Sequence, residues 1–119
     1  MLSRNEVGKF GEKLACDFLI KNGYTILERN FRTRHGEIDI IAKDSDFIAF
    51  VEVKTRRSIK FGHPREAVDY FKQTKIKNIA IVYLSRAKLK NLNLRFDVVD
   101  IILDNDDKTK SITIIKNAF

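Results

Sequence analysis

The chain has a single cysteine, Cys16, and only two histidines, His35 and His63, set far apart. One cysteine cannot form an intramolecular disulfide, and with two scattered histidines it makes no zinc site of the Cys/His type. Such usage suits a reducing compartment, so a cytoplasmic location is expected. No run of about 18 apolar residues occurs, and Met1–Arg4 leads directly into a charged amphipathic segment without the apolar region of a secretion signal. The chain is therefore expected to be neither secreted nor bound to a membrane. Internal repeats, low-complexity segments, apolar-poor linkers and zinc-finger or other base-reading motifs are also missing. One domain spanning 1–119 is the expectation that these absences leave.

Hydrophobic residues make up 44% of the chain, with nine Phe and three Tyr among them, enough for a core that needs no disulfide or structural metal. Lys and Arg number 23 against 16 Asp and Glu, a formal charge of +7. That balance favours polyanions, of which nucleic acid is the commonest, but as a solvated surface it is also ordinary. It tilts the expectation towards a nucleic-acid partner and decides nothing alone.

Ser3 and Glu6 have capping-box spacing, and Val7, Phe10, Leu14 and Phe18 recur at helical spacing until Gly23, which predicts an amphipathic helix over 5–21. Glu6, Lys9, Lys13 and Asp17 fall on its solvated face, while Gly8, Gly11 and Ala15 form a shoulder against which something packs closely. Cys16 reads as helix filler. Tyr24–Phe31, Glu37–Ala42 and Phe47–Lys54 are short, rich in β-branched and aromatic residues and separated by polar turns, so they read as three strands. Lys43–Asp46 would join the second and third as an antiparallel hairpin. A basic loop from Thr55 to Lys60 follows. Pro64 is placed to begin one or two helices reaching about Arg86, and His35 and His63 fall in loops. Phe96–Leu103 and Ile112–Ile115 read as two final strands joined by the charged turn Asp104–Lys110. The order αβββαββ implies an α/β or α+β domain with helices against a central mixed sheet.

Alternation along the strands sets Glu37 and Asp39 on one side and Ile38 and Ile40 on the other, and likewise Glu52 and Lys54 with Phe50 opposite Val51 and Val53. Closing the hairpin across Ala42 and Phe47 pairs Asp39 with Phe50 and Glu37 with Glu52, and gathers Glu37, Asp39, Glu52 and Lys54 on one face. A slip of two residues would preserve that face. Like charges set opposite each other are unfavourable, by about 0.2–1 kcal/mol per pair. They become favourable around a hard divalent cation, and Mg²⁺ typically takes one or two carboxylates together with waters and phosphate oxygens. Lys54 beside them adds the positive group that phosphodiester cleavage needs. The competing reading is a surface hairpin in which Lys54 simply neutralises Glu52 and Asp39.

The runs Gly36-Glu37-Ile38-Asp39-Ile40-Ile41 and Phe50-Val51-Glu52-Val53-Lys54-Thr55-Arg56 resemble the signature of the YraN-like family of proposed endonucleases. Gly11-Glu12-Lys13-Leu14-Ala15, Arg95-Phe96-Asp97-Val98-Val99 and Lys116-Asn117-Ala118-Phe119 resemble further blocks of that family, so the likeness spans nearly the whole chain. The family is in turn similar to the restriction-endonuclease-like superfamily, archaeal Holliday junction resolvases included, with an αβββαβ core and the motif PD-(D/E)xK.

The resemblance implies that Asp39 takes the aspartate position and Glu52 and Lys54 the (D/E)xK positions, with the Val53 carbonyl as a further metal contact. Ile38 stands where the superfamily motif has proline, a change that removes no chemical group. Glu12 resembles the acid that some resolvase-like members carry near the metal from the first helix, and it borders the Gly8–Ala15 shoulder; a surface glutamate is the alternative. Gln73 resembles a glutamine that related nucleases direct at the site, or is an exposed helical residue. Arg32, Arg34, Arg56, Arg57 and Lys60 flank the acidic strands, and Lys72, Lys75 and Lys77 follow on the helix. Together they would give salt-sensitive, sequence-independent contacts to a phosphate backbone.

The leading expectation is thus a Mg²⁺- or Mn²⁺-dependent endonuclease acting on DNA, leaving a 5′-phosphate as that superfamily usually does, with branched or damaged DNA suggested by the likeness to resolvases. Resolvase-like relatives often act as dimers, which extends the expectation to a homodimer. An accessory protein that binds nucleic acid without cutting it is the main alternative, and a basic structural protein is a third.

Overall fold

Ser3 and Glu6 close the first helix reciprocally: the Glu6 N–H donates to Ser3 Oγ (3.2 Å) and the Ser3 N–H donates to Glu6 Oε1 (2.9 Å). The computed structural model describes residues 2–57, 69–89 and 92–119. In it this helix, α1, runs Arg4–Lys21. Asn22 caps it, and Gly23 follows at φ +90°, a conformation that costs glycine little.

Strands β1 (Thr25–Thr33), β2 (Gly36–Asp44) and β3 (Phe47–Arg56) come next, then helix α2 (Tyr70–Ala87) and strands β4 (Asn93–Leu103) and β5 (Thr109–Ile115). The order is the expected one, with most elements reaching a little further than predicted. Where one or two helices were anticipated from Pro64, the described residues hold a single helix whose N-cap, Asp69, accepts from the Lys72 N–H (2.9 Å). Lys60, His63 and Pro64 lie outside the described residues.

The strands form one sheet in the order β1-β2-β3-β4-β5, antiparallel except for the parallel β3/β4 pair. A parallel pair needs a long crossover, and α2 lies within it. The helices cover opposite faces. Ala15 and Leu19 of α1 pack on Ile40, Val51, Val99 and Ile101, while Ile76, Ile79 and Tyr83 of α2 pack on Ile41, Ile48, Phe50 and Val98. β3 and β4 are therefore buried on both sides, which explains their near-continuous apolar runs. The edge strand β1 carries Glu28, Arg29 and Arg32 to solvent and a register shift after Ile26, features that discourage edge-to-edge association. This mixed five-stranded sheet with two helices is consistent with a restriction-endonuclease-like α/β core. Among the described residues no helix is long and apolar enough to cross a membrane.

Two local expectations are corrected. The β2/β3 hairpin closes across Asp44 and Phe47, not Ala42 and Phe47, so the register moves by two and sets Ile40 against Val51. Ser45 makes the tighter turn feasible by adopting φ 53°. Simple alternation also fails in β2: Ile38 packs beneath α2, whereas Ile40 packs beneath α1. The break coincides with a left-handed residue on the neighbouring strand, Asn30 (φ 53°), which falls between the pairs Arg29↔Ile40 and Phe31↔Ile38.

At the hairpin end the sheet is tied by Arg95, whose guanidinium donates to Asp97 Oδ1 (2.8 Å), Asp44 Oδ2 (2.7 Å) and the Tyr24 hydroxyl oxygen (2.9 Å). Asp97 is fully buried and also accepts from the Asn117 N–H (3.0 Å), so the C-terminal turn is anchored to β4. The cation thus has several oxygen acceptors around it, as a charge in the interior requires.

Candidate functional site

At the opposite end of the hairpin the sheet divides. β2 and β3 are paired only as far as Ile40 and Val51; beyond them β2 continues to Gly36 against β1, and β3 continues to Arg56 against β4. Asp39 is the first residue past the fork. Its Oδ2 accepts from the Val53 N–H at 2.8 Å, so the carboxylate takes the place of a ladder partner. Continuing the register would bring Glu52 opposite Asp39. The charges thus gather where the strands splay and backbone pairing no longer fills the space.

Two further acids converge on Asp39. Glu12 arrives on α1, which can approach the sheet closely because Gly11, next to it, rests directly on Thr55 of β3. Glu37 comes from the end of β2 that has left β3 and pairs with β1 alone. One carboxylate oxygen from each of Glu12, Glu37 and Asp39 lies within 4.8 Å of the others. Asn30, with its amide turned to donate, reaches Glu37 Oε1 (2.7 Å) and Glu12 Oε2 (3.2 Å). Its left-handed backbone is what brings this side chain to the acids.

Glu52 has a different environment. Its side chain is 9% exposed and lies between two ammonium groups, in contact with Lys72 of α2 and 3.7 Å from Lys54. A cavity of about 640 Å³ opens over the group, lined by Glu12, Asp39, Glu52, Lys54, Thr55 and Arg56 among others.

Burial and the neighbouring Glu52 charge push the Asp39 carboxyl up to about 7 in spite of its bond from Val53. Burial, then the charge of Glu37, raises Glu12. Lys54 is lowered, first by burial and then by Lys72. Burial also opposes the charge of Lys72, but its bond to Glu52 prevails and holds that ammonium above its ordinary range. Two lysines that touch the same acid are thereby driven apart: one is committed to Glu52, and the other is made easier to deprotonate. Acids raised by burial and by one another's charge are suited to a cation, which offsets both on binding. Three clustered carboxylates form a hard oxygen donor set of the kind that Mg²⁺ or Mn²⁺ accepts.

The residues singled out in the sequence divide between the fork and its surroundings. Glu12, Glu37, Asp39, Glu52, Val53 and Lys54 meet at the fork. Lys72, expected as a backbone contact, instead binds Glu52. Gln73 is half-buried one residue further along α2 and is not among the residues lining the central cavity. Of the remaining cations, Arg32 pairs with Glu37 (2.8 Å), Arg56 with Asp100 (3.5 Å) and Arg57 with Asp107 (2.6 Å). Lys77 lies over the Phe96 ring, and Arg34 and Lys75 are exposed beside each other's elements at the β1–β2 turn. Asn30 was not anticipated. An asparagine inside an otherwise strand-forming run is a signal, because it is depleted in strands and enriched in left-handed positions, but its contacts with Glu37 and Glu12 are invisible without the sheet.

Residues 11–101, which contain the fork, the C-terminal part of α1 and the whole of α2, match the model of the Uncharacterised protein family UPF0102. A UPF0102 protein of Caldicellulosiruptor saccharolyticus is 49% identical over 118 residues, covering 99% of this chain and 100% of its own. One from Thermodesulfovibrio yellowstonii is 54% identical over 118 residues, 99% of both chains, and one from Dictyoglomus thermophilum is 48% identical over 118 residues, 99% of this chain and 100% of its own. The chain belongs to the UPF0102 family.

Proposed function

We propose that this UPF0102 protein is a metal-dependent nuclease that hydrolyses phosphodiester bonds in DNA. The observation that carries the reading is the meeting of Glu12, Glu37 and Asp39 at the fork, where Glu12 and Asp39 line a cavity together with half-buried Lys54, whose pKa is lowered, and with arginines on its wall. Glu12, Glu37 and Asp39 would hold Mg²⁺ or Mn²⁺, with Glu52 and the Val53 carbonyl next in reach. When bound, such a cation supplies Lewis-acid stabilisation of phosphoryl oxygens and a more acidic water.

The chain's own residues account for the rest. Lys54 lies beside Glu52 with its amine eased towards the neutral form, placed to take or orient the proton of an attacking water and, once protonated, to balance charge on the phosphate. Lys72 pairs with Glu52 and holds it in place, so Lys54 is not its sole partner. Asp39 is locked in orientation by Val53. The formal charge of +7 draws a polyanion to the surface without reading sequence.

The test is cleavage of single-stranded, duplex, flapped and four-way-junction DNA with Mg²⁺ or Mn²⁺, by wild type, Asp39→Asn and Lys54→Ala. Cutting by wild type alone is expected. One contact favours a second reading, an accessory protein that binds nucleic acid without cutting it: the charge of Glu52 is met by Lys72 of the same chain. Metal binding lost in Asp39→Asn, with no strand cut by the wild type on any substrate, would establish that reading and overturn the nuclease.

A further inference from the structure

The two most exposed large apolar side chains among the described residues are neighbours: Phe71 is 84% and Tyr70 78% exposed, at the first turn of α2. Their rings meet edge to face, with centroids 6.4 Å apart. They border a depression of about 540 Å³ that Arg34 and His35 of the β1–β2 turn and Lys75 of α2 complete. A second one, of about 430 Å³, adjoins it and is lined by Phe71, Lys72, Lys75 and Glu37. Gly36 ends this turn at φ +133°, a conformation that residues with a side chain rarely adopt, and it faces Lys75 of α2. Phe71 thus borders both depressions, and the second ends at Glu37, one of the three converging acids.

Isolated exposed apolar residues are common, but two adjacent aromatic rings flanked by cations and continuous with a carboxylate site have a specific chemistry. Rings offer π-faces, and Arg34 and Lys75 offer phosphate contacts. A base already stacked inside a duplex has no face to present to a side chain, whereas an unpaired base does. We infer that Tyr70 and Phe71 form a stacking platform for an unpaired base, with Arg34 and Lys75 on its phosphates, and that the strand so held leads along α2 into the fork. This rests on the nuclease reading and sharpens it: the preferred substrate carries a single-stranded or unpaired segment, and continuous duplex is a poor one.

The experiment measures binding and cutting separately. In EDTA, fluorescence anisotropy of labelled oligothymidine and of a duplex of equal length is followed with wild type, the double variant Tyr70→Ala/Phe71→Ala and Lys75→Gln. Oligothymidine should bind the wild type more tightly than the duplex does. The double variant should lose about tenfold or more in single-strand affinity, as expected for one or two lost stacks, with duplex affinity and the salt slope unchanged. Lys75→Gln should lower the salt slope by about 0.7, the value for one phosphate contact on a single strand. The chain has no tryptophan, so Phe71→Trp supplies a lone reporter whose emission oligothymidine should quench. Because both rings are exposed, these variants should fold as wild type does, which their thermal midpoints check.

Unchanged single-strand affinity in the double variant, with no quenching in Phe71→Trp, overturns the platform. Loss of self-association in the double variant, seen by sedimentation without loss of DNA affinity, assigns the rings to a contact between copies and overturns it equally. Parallel cleavage assays in Mn²⁺ separate this from the nuclease reading. Cutting of oligothymidine that is equal in wild type and the double variant removes only the platform, whereas ring-dependent binding with no cutting removes only the nuclease.

Discussion

Gly11 on α1 and Thr55 on β3 touch so closely that a Cβ added at Gly11 would stand 1.8 Å from Thr55 Oγ1 and 2.8 Å from Thr55 Cβ. Rotating the threonine clears its hydroxyl but cannot move its Cβ. Gly11→Ala must therefore push α1 off the sheet, against the small gain in helix propensity that alanine brings. Overpacking of this kind costs about 1–3 kcal/mol, a net loss visible as a lower urea midpoint. Since Glu12 is the next residue, metal affinity should fall too. Thr55→Gly in the same chain makes room for the new methyl group and should restore part of both; a double variant no better than Gly11→Ala would refute the contact as the cause.

Asp39→Asn keeps an oxygen that can accept from the Val53 N–H while removing the charge that burial and Glu52 oppose. In EDTA near pH 8 its thermal midpoint should equal or exceed that of the wild type. Added Mn²⁺ should raise the midpoint of the wild type, by linkage of about 2.7 kcal/mol at a hundred times Kd, and leave the variant unmoved. A wild-type midpoint that ignores Mn²⁺ would count against the metal site.

Lys72→Met takes the closest partner from Glu52, whose side chain is 9% exposed, while Lys72 itself is 37% exposed. Exposed pairs contribute up to about 1 kcal/mol and removal of one partner from a fully buried pair costs about 3–5, so a loss of ~1–3 kcal/mol is expected. Lys54, freed of the neighbouring charge and turned to serve Glu52 alone, should become harder to deprotonate. Its labelling by an amine-reactive reagent, read by mass spectrometry, should slow; faster labelling would contradict the division of labour between the two lysines.

Asp44 supplies a pH dependence remote from the fork. The bond from Arg95 (2.7 Å), and then that from Lys116 (3.1 Å), hold its carboxyl below the ordinary range. A depressed folded-state pKa stabilises the fold at all pH values above the unfolded value, near 3.9, and that contribution is lost as pH falls through it towards the folded one. Chemical stability should decline from about pH 5 downwards, and Asp44→Asn, weaker at neutral pH, should show a shallower decline. Parallel curves for the two proteins would dismiss this source.

What the chain's local pattern determined is considerable. The capping box of Ser3 and Glu6, the small shoulder at Gly11 and the apolar runs of β3 and β4 are set by neighbours a few residues apart, and periodicity reports such neighbours directly. The element order was legible for that reason, whereas the grouping of Asp39, Glu52 and Lys54 was expected from the hairpin and from the likeness to a known motif, in a register that the structure moves by two. What only tertiary structure decided lies across strands and between layers. The β2/β3 register depended on how tightly Ser45 could turn. The switch of Ile38 and Ile40 to opposite faces accompanied a left-handed Asn30 on another strand, and Glu37 joined Glu12 and Asp39 only because β2 leaves β3 after Ile40. Lys72 reached Glu52 by way of the α2 crossover. A two-residue alternation describes a strand that stays paired; where strands part, side-chain direction is set by whatever fills the gap, and here a carboxylate, an asparagine and two helices fill it.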